Sequence, residues 1–279
     1  MHPPLRLMNT QNLSDAGSYK FGRFKKNDVE LERLKLQATI ALEQEQNIWK
    51  QAGLKPGMDV LDLACGPGFT ACELAKVIGT EGQVTGVDIN ERLISTAHQA
   101  KESEGVENVS FQLGNLYDLN FPENSFDFVY ARFVFQHLEK PEQALSNILK
   151  VLKPGGILCI LDIDDNWTSF SPESAAFVKF IRTAGAGQKR KGGNRLIGNQ
   201  LYGLLRKTGY QNVSTRIKPI TTEDLGIKYF LGVAVLFRVE MLSKLQKLIA
   251  LPQLIKIKKA AKDPDAWGAI GVFYTIGTK

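Results

Sequence analysis

A tight glycine turn followed by a distant acidic residue is the pattern in this sequence that points most directly to chemistry. The turn, Gly66-Pro67-Gly68, comes after the apolar run Val60 to Leu63 and before a segment with helical spacing. Glycines at a strand-to-helix turn let a ligand approach the backbone, where N–H groups of the helix start face it. A second strand-like run ends at Asp88, about twenty residues further on. Because an ionised carboxylate there accepts hydrogen bonds from both ribose hydroxyls, the pattern predicts a nucleoside ligand.

The elements that must position this turn alternate along the chain. Segments of strand type lie at about 58–64, 83–89, 108–114, 126–132 and 156–163, and segments with helical spacing at about 69–79, 91–104, 141–152 and 171–184. This alternation predicts a mostly parallel sheet covered by helices on both faces. An amphipathic helix is expected before it, from Val29 to Ala52.

The pattern changes after Ala184. A glycine-rich basic loop is expected at 184–193, and helical structure at about 196–208 and 222–250. A strand is expected near 212–219, and a last, buried strand at 267–276.

Composition narrows the class of protein. The chain has 279 residues, 43% of them hydrophobic, which suits one large globular domain or one domain with an inserted cap. A net charge of +6 does not imply nucleic acid without a localised patch. The three cysteines, Cys65, Cys72 and Cys159, have no metal-ligand spacing and form no even disulfide framework, which favours the reducing cytoplasm. The longest apolar run, Tyr229 to Phe237, is too short to cross a bilayer, so a soluble protein without stable membrane insertion is expected.

Five motifs, in a fixed order between Val60 and Leu161, resemble those of the class I S-adenosylmethionine-dependent methyltransferases. They are Asp62-Leu63-Ala64-Cys65-Gly66-Pro67-Gly68, Gly86-Val87-Asp88, Gly114-Asn115-Leu116, Asn124-Ser125-Phe126-Asp127-Phe128-Val129 and Leu152-Lys153-Pro154-Gly155-Gly156. The resemblance implies an α/β fold with a Rossmann-like seven-stranded sheet, mostly parallel, in which residues 267–276 provide the one antiparallel strand. It also implies an N-terminal cap helix, a lid insertion and S-adenosyl-L-methionine as the cofactor.

Position by position, the resemblance assigns the first part of the cofactor site. Asp62 and the backbone of Ala64, Gly66 and Gly68 are expected to line the methionine portion of the cofactor. Asp88 is expected to hold the ribose, although it could also cap the following helix. An ionised Asp62 inside an apolar strand needs partners, so its alternative role is a purely structural hydrogen bond.

The second part of the site surrounds the adenine and the sulfonium. Ile89 is expected to pack on the adenine, Asn115 and Leu116 to flank its ring, and Ala131 and Arg132 to lie beside the sulfonium. The cap residues that resemble cofactor contacts are Tyr19, Arg33 and Gln37.

Several polar residues fall where the acceptor of the methyl group is expected. His137 follows the fourth strand and is predicted as a general base, with a structural hydrogen bond or substrate contact as alternatives. Arg195 precedes a segment that resembles a lid helix, and is expected to bind an acidic substrate or to tie the lid to the sheet. For Asp162, Asp164 and Asp165 we expect turn capping rather than a divalent cation, and no metal site is predicted.

The predicted organisation is a cap at 1–52, a cofactor-binding core at 53–184, a lid at 185–250 and a C-terminal strand at 251–279. Apolar residues at 230–237 favour a hydrophobic or aromatic small-molecule metabolite, methylated on oxygen, nitrogen or carbon by in-line displacement to give S-adenosylhomocysteine. The alternatives are other chemistry on the same fold, or a non-catalytic module that binds the cofactor. A homodimer that exchanges N-terminal segments is a further possibility.

Two other classes of enzyme, and one alternative use of a surface segment, are less favoured. No motif of the Asn/Asp-Pro-Pro-Tyr type follows the fourth strand, which argues against a nucleic-acid partner, and RNA or protein methylation is less favoured than small-molecule methylation. A nicotinamide-dependent dehydrogenase would more usually have glycine where Ala71 stands. The basic and apolar run Leu254 to Lys262 could contact a membrane surface or nucleic acid, but a solvated helix face is the favoured interpretation.

Overall fold

A seven-stranded sheet forms the centre of the computed structural model, which describes residue 18, residues 27–240 and residues 242–279. The strands are β1 (Asp59–Leu63), β2 (Gln83–Asp88), β3 (Val109–Leu113), β4 (Phe126–Arg132), β5 (Leu152–Ser171), β6 (Gln211–Thr221) and β7 (Trp267–Thr278). Their order in the sheet is β3-β2-β1-β4-β5-β7-β6. Strand β7 runs antiparallel to both of its neighbours, whereas the pairs from β3 to β5 are parallel. The predicted Rossmann-like sheet, with its antiparallel strand near 267–276, is confirmed.

Helices cover both faces of this sheet. They are α1 (Asn27–Ala52), α2 (Phe69–Ile78), α3 (Glu91–Glu104), α4 (Pro141–Val151), α5 (Ala175–Lys189), α6 (Leu201–Thr208), α7 (Thr222–Leu225), α8 (Ile227–Leu231), α9 (Phe237–Glu240) and α10 (Lys244–Ala260). A 3₁₀ turn at Phe135–His137 and a π-helical turn at Gly232–Leu236 complete the set. Among the described residues, no helix combines the length and the apolar character that crossing a bilayer requires.

Two apolar clusters lie on opposite faces of the sheet because side chains alternate along each strand. From β4, Phe128 and Tyr130 join the cluster that includes buried residues of α1, α2 and α5. Val129 and Ala131, between and after them, join the cluster that includes buried residues of α4 and α6. The strands at the centre of the sheet are therefore buried on both faces, as expected for a parallel sheet covered on both sides.

Several predicted boundaries differ from the structure, and tertiary packing explains the two described first. Strand β5 continues to Ser171 instead of ending at 163, because β7 pairs with Thr168–Ser171 beyond an irregularity. Helix α5 continues to Lys189 through the predicted glycine-rich loop, although glycine is a poor helix former. A Cβ atom on Gly187 would lie 3.3 Å from the side chain of Gln246 in α10, so glycine there permits close helix packing. Helix α6 also begins later than predicted, at Leu201 rather than at 196.

The predicted division into cap, core, lid and C-terminal strand does not follow these elements. The boundary after residue 184 falls inside α5, and the boundary after residue 250 falls inside α10. Strand β6 belongs to the predicted lid by sequence, but it forms one edge of the central sheet. The predicted helical stretch at 222–250 consists of three short helices, a π-helical turn and the first part of α10 rather than one helix.

Candidate cofactor and acceptor site

A cavity of about 690 Å³ lies where the strand order reverses between β1 and β4. Segments that follow β1, β2, β3 and β4 form one side of it, and α1 together with parts of 218–238 forms the other. In α/β sheets, ligands bind in the crevice at such a point, beyond the carboxyl ends of the strands. The volume is within the range of sites for small molecules and cofactors.

The two glycines of the turn after β1 have different structural roles. Gly66 lines the cavity, has a φ of +57°, and donates its backbone N–H to Asp88 Oδ2 at 2.9 Å. Gly68 has a φ of +79° and precedes α2, where a Cβ atom would lie only 2.7 Å from Ala97 and Phe111. Gly66 therefore leaves its backbone accessible from the cavity, whereas Gly68 permits α2 to pack closely against its neighbours.

The Asp88 carboxylate is held by the backbone around it. Its Oδ1 accepts a hydrogen bond from the N–H of Asn90, and its Oδ2 accepts one from Gly66, both at 2.9 Å. Each carboxylate oxygen can accept a second hydrogen bond, so two vicinal hydroxyls fit this group. The side chain of Asn90, not that of Asp88, caps α3. Burial raises the pKa of Asp88 to about 6, which leaves it mostly ionised at neutral pH.

Asp62 is the second carboxylate of the cavity wall, and one of its oxygens needs a partner. The residue is buried, and its Oδ2 forms no hydrogen bond with any described residue. Burial raises the pKa of Asp62 to about 8, against the opposing charge of Arg132. An orphaned, buried acceptor requires a donor, preferably a cationic one. The ammonium group of the predicted cofactor is such a donor. The environment of Asp62 therefore fits S-adenosylmethionine.

Arg132 lies at the end of β4 and connects the sheet to α1. Its Nε donates to Glu45 Oε1 at 2.7 Å, and its second guanidinium nitrogen donates to the carbonyl of Gln37 at 3.1 Å. Tyr130 donates its hydroxyl to the other oxygen of Glu45 at 2.7 Å. This buried network fixes the part of α1 that lines the cavity with Gln37. Arg132 therefore contributes to the site by anchoring α1, the cap helix, to the end of β4.

His137 lines the cavity but lies in an environment that weakens it as a base. The Ser18 hydroxyl is 2.8 Å from its Nδ1, and the side-chain amide of Gln188 is 3.3 Å from the same atom. Burial, and then the charges of Arg195 and Arg33, lower the pKa of His137 to about 3. The imidazole is therefore neutral at pH 7 and has little affinity for a proton. This environment favours the hydrogen-bonding alternative over general base catalysis.

Arg195 belongs to a buried cluster of charges beside the same cavity. It donates from Nε and a terminal nitrogen to Asp165, with the shorter distance 3.0 Å, and also donates to the Gln136 side chain. Arg238 donates to Asp165 Oδ2 at 2.7 Å, while its own Nε has no hydrogen-bond partner among the described residues. Two guanidinium groups thus share one carboxylate, and both arginines line the cavity. Burial and the neighbouring Arg195 lower the pKa of Arg238 to about 10.

The other acids after β5 bind backbone groups. Asp162 accepts from the N–H groups of Gln136 and Ile163, and Asp164 accepts from those of Asn166 and Asn199. These contacts match the expected turn capping. In the described part of the chain, no group of three or more histidine, cysteine or acidic side chains is arranged to hold a metal ion.

Most residues predicted for the site line this one cavity. They are Arg33, Gln37, Asp62, Ala64, Gly66, Asp88, Ile89, Asn115, Leu116, Arg132, His137 and Arg195. Gly68 does not line it, because its place is in the packing of α2. Ala131 does not line it either, since strand alternation directs its side chain into the apolar cluster on the opposite face. Tyr19 lies outside the described residues.

Two important residues of the site were not predicted. Glu45 lies in an amphipathic helix among other polar residues, and nothing in its local pattern distinguishes it from a surface glutamate. Arg238 did carry a signal, because it directly follows the longest apolar run of the chain. A charged residue that continues an apolar helical segment is buried at a cost, and such residues often serve a site.

Comparison with known proteins agrees with this geometry. A family model described as a methyltransferase domain matches residues 54–222, which is more than half of the chain. The ubiquinone/menaquinone biosynthesis C-methyltransferase UbiE of Shewanella pealeana is 36% identical over 121 residues, 41% of this chain and 48% of that protein. The chain therefore matches about half the length of this curated relative.

Two solved structures share the fold. A SAM-dependent methyltransferase from Aquifex aeolicus has a TM-score of 0.54 and 23% identity, over 69% of this chain and 92% of that chain. The cyclase SpnF has a TM-score of 0.58 and 20% identity, over 87% of this chain and 82% of that chain. The matched motifs, the sheet and the family model lead to one conclusion: the chain belongs to the class I S-adenosylmethionine-dependent methyltransferases, as predicted, and S-adenosylmethionine is its cofactor.

Proposed function

We propose that this protein transfers the methyl group of S-adenosylmethionine to a carbon, oxygen or nitrogen atom of a hydrophobic or aromatic small molecule, leaving S-adenosylhomocysteine. The observation that carries the proposal is the pair of buried carboxylates, Asp62 and Asp88, on one wall of a cavity whose other wall combines apolar with charged side chains. The carboxylates suit the hydroxyls and the ammonium of the cofactor. The apolar side chains of the other wall, among them Leu34, Val233 and Phe237, suit the acceptor.

The residues of the chain have distinct tasks in this reaction. Asp88 binds the ribose, Asp62 accepts from the ammonium group, and the backbone at Ala64 and Gly66 lines the methionine portion. When bound, the cofactor supplies an electrophilic methyl carbon attached to a sulfonium. The chain must hold the acceptor in line with that carbon and keep water out, and Phe133 and Phe237 line the cavity for this purpose.

Arg195 and Arg238 are proposed to contact a polar or acidic group of the acceptor. Among the described residues, their two positive charges face a single negative charge within hydrogen-bonding distance, that of Asp165. An acceptor with one anionic oxygen would complete the hydrogen bonding of Arg238, whose Nε has no partner among the described residues. The name of the Shewanella relative, a C-methyltransferase of quinone biosynthesis, supports an aromatic acceptor methylated on carbon.

Methyl transfer to a nucleophile that is already ionised does not need a strong base near the acceptor. When a ring carbon of such an acceptor is methylated, the proton that the carbon then loses can pass to water. The low pKa of His137 agrees with such a reaction. We propose that His137 orients the acceptor, or the wall of the cavity, through hydrogen bonds. The general base role of His137 stays a prediction for acceptors that must lose a proton.

A second function is a protein that binds the cofactor for other chemistry or without catalysis. The fold shared with the cyclase SpnF supports it, since one fold can serve several activities. Measured methyl transfer separates the two proposals. Incubation with methyl-labelled S-adenosylmethionine and a panel of hydroxylated aromatic acids, quinols and lipophilic amines is expected to label at least one aromatic acceptor. Binding of the cofactor without labelling of any acceptor would favour the second function.

Calorimetric titration with S-adenosylhomocysteine tests the cofactor site itself. We expect the wild type to bind, with no signal from NAD, and Asp88→Ala to lose about 2 kcal/mol of binding free energy, because charged hydrogen bonds contribute about 1.5–3 kcal/mol. Asp118→Ala is the matched control, since Asp118 is an exposed acid that does not line the cavity. Equal affinity of Asp88→Ala and wild type, with native circular dichroism for both, would contradict the assignment.

A further inference from the structure

Helix α10 presents an unusually apolar surface to solvent. The three most exposed large apolar side chains in the described part of the chain are Leu248 (70%), Leu245 (67%) and Ile255 (61%), and all three are on this helix. Ile249 and Leu251 on the same helix are also more than half exposed. Scattered exposed leucines need no explanation, but a cluster on one helix indicates a binding surface.

The position of α10 leaves this surface facing outward. Its buried residues, Ala250, Gln253 and Ile257, recur at helical spacing, and α10 packs against α5. Leu248, Pro252 and Ile255 also recur at helical spacing, on the opposite side. The helix is ordered from its first turn, because Ser243 and Gln246 form a reciprocal capping box. The exposed aliphatic residues therefore lie on a fixed helix and not on a loop.

Positive charge surrounds the exposed aliphatic residues. From 244 to 262 the sequence contains six lysines and no aspartate or glutamate. This span alone carries +6, which equals the net charge of the whole chain. Four of the lysines, Lys256, Lys258, Lys259 and Lys262, follow the aliphatic residues, and Lys244 and Lys247 lie among the first of them.

The combination of exposed aliphatic residues and lysines distinguishes between three possible binding partners of α10. A second copy of the chain, related by a two-fold axis through α10, would bring two +6 spans together. Nucleic acid would accept the lysines, but it offers no apolar surface for Leu245 and Leu248. The interface of an anionic bilayer accepts both, because aliphatic side chains enter the acyl boundary while lysines reach lipid phosphates.

We propose that the outward face of α10 binds the surface of an anionic lipid bilayer, with Leu245, Leu248 and Ile255 in the acyl boundary and the lysines at the headgroups. The helix lies along the surface and does not cross the membrane. This surface is separate from the cofactor cavity, since no residue of α10 lines that cavity.

Co-sedimentation with lipid vesicles tests the proposal on the full chain. One set of vesicles contains phosphatidylcholine alone, and the other contains about a third phosphatidylglycerol, enough for an appreciable negative surface potential. The wild type is expected to partition at least tenfold more strongly onto the anionic vesicles, and to lose binding as salt is added. The double variants Leu248→Gln/Ile255→Gln and Lys256→Gln/Lys259→Gln are each expected to lose about tenfold or more in partitioning.

Matched controls replace exposed residues of the same types elsewhere. Val77→Gln/Val178→Gln and Lys50→Gln/Lys55→Gln are expected to bind vesicles within twofold of the wild type. Titration with S-adenosylhomocysteine shows that each variant is folded, because the substituted residues lie outside the cavity. Failure of the wild type to bind anionic vesicles, or equal binding by the α10 variants and the controls, would overturn the proposal. So would a wild-type dimer that Leu248→Gln/Ile255→Gln converts to a monomer.

Discussion

Asp62 illustrates how strongly burial can change one residue of this site. The carboxyl group lies in the wall of the cavity, one of its oxygens has no hydrogen-bond partner among the described residues, and its pKa is about 8. At pH 7 most molecules without ligand therefore carry a proton on this group. A bound ammonium group reverses that preference, because an adjacent positive charge favours the ionised carboxylate.

Proton release on binding is the expected consequence. Titration of the wild type with S-adenosylhomocysteine at pH 7 is expected to release nearly one proton, so the measured enthalpy should change with the ionisation enthalpy of the buffer. Asp62→Asn should abolish this dependence, whereas Asp118→Asn, an exposed acid, should retain it. A wild-type enthalpy that is the same in phosphate and in Tris would contradict the assigned role of Asp62.

At the scale of elements, the contact between α1 and β4 is held by polar groups as well as by apolar packing. Trp49 of α1 packs edge-on against Tyr130, with ring centroids 5.5 Å apart, and Glu45 joins Tyr130 and Arg132 through hydrogen bonds of 2.7 Å. Glu45 is buried, so removing its charge leaves the Arg132 guanidinium without its ion-pair partner in a place that excludes water. The cap helix is therefore coupled to the strand end that lines the cavity.

Replacing Glu45 should affect stability and binding together. We expect Glu45→Gln to lower the free energy of unfolding by about 3 kcal/mol, the cost of breaking a buried ion pair, and to weaken binding of S-adenosylhomocysteine because α1 lines the cavity. Thermal unfolding and calorimetry measure the two effects. Glu43→Gln is the control, since Glu43 is exposed on the same helix. Melting of both variants at the wild-type temperature would show that the network does not stabilise the fold.

At the scale of the whole molecule, the fold buries several carboxyl groups near one end of its sheet. Besides Asp62, Asp162 is fully buried, and burial raises its pKa to about 7 although it accepts two backbone hydrogen bonds. Both groups hold protons in the folded chain at pH values where the unfolded chain, with the ordinary aspartate pKa of 3.8, has lost them. Stability therefore falls as pH rises from the ordinary aspartate pKa to the raised pKa of each folded-state group, and it levels off above that value.

The pH dependence of stability without ligand follows from these shifts. Between pH 6.5 and 8.5 the free energy of unfolding is expected to fall by about 2 kcal/mol as pH rises, or about 5 °C in the thermal midpoint. His137 acts in the opposite direction only below about pH 6.5, because its pKa is lower in the folded chain than in the unfolded chain. Asp62→Asn should make the dependence shallower. A midpoint that rises over this interval would contradict the assignment.

The sequence by itself determined the order of strands and helices, the glycine turn and the acid after β2. These features depend on residues close together in the chain: Gly66 and Gly68 require a turn, and Asp88 stands at the end of an apolar strand. The motifs also predicted the sheet pairing of residues 267–276. They predicted most of the residues around the cavity as well, because parallel strands bring their carboxyl ends to one edge of the sheet.

Only the tertiary structure decided which polar residues support the site. Glu45 meets Arg132 across 87 residues of sequence, and Arg238 meets Asp165 across 73. Helix α5 continues through Gly185 and Gly187 because α10 packs against it, and Ala131 turns away from the cavity because of its place in the strand alternation. Local propensity contains no information on such partners, since burial and charge pairing depend on which distant segment the fold brings into contact.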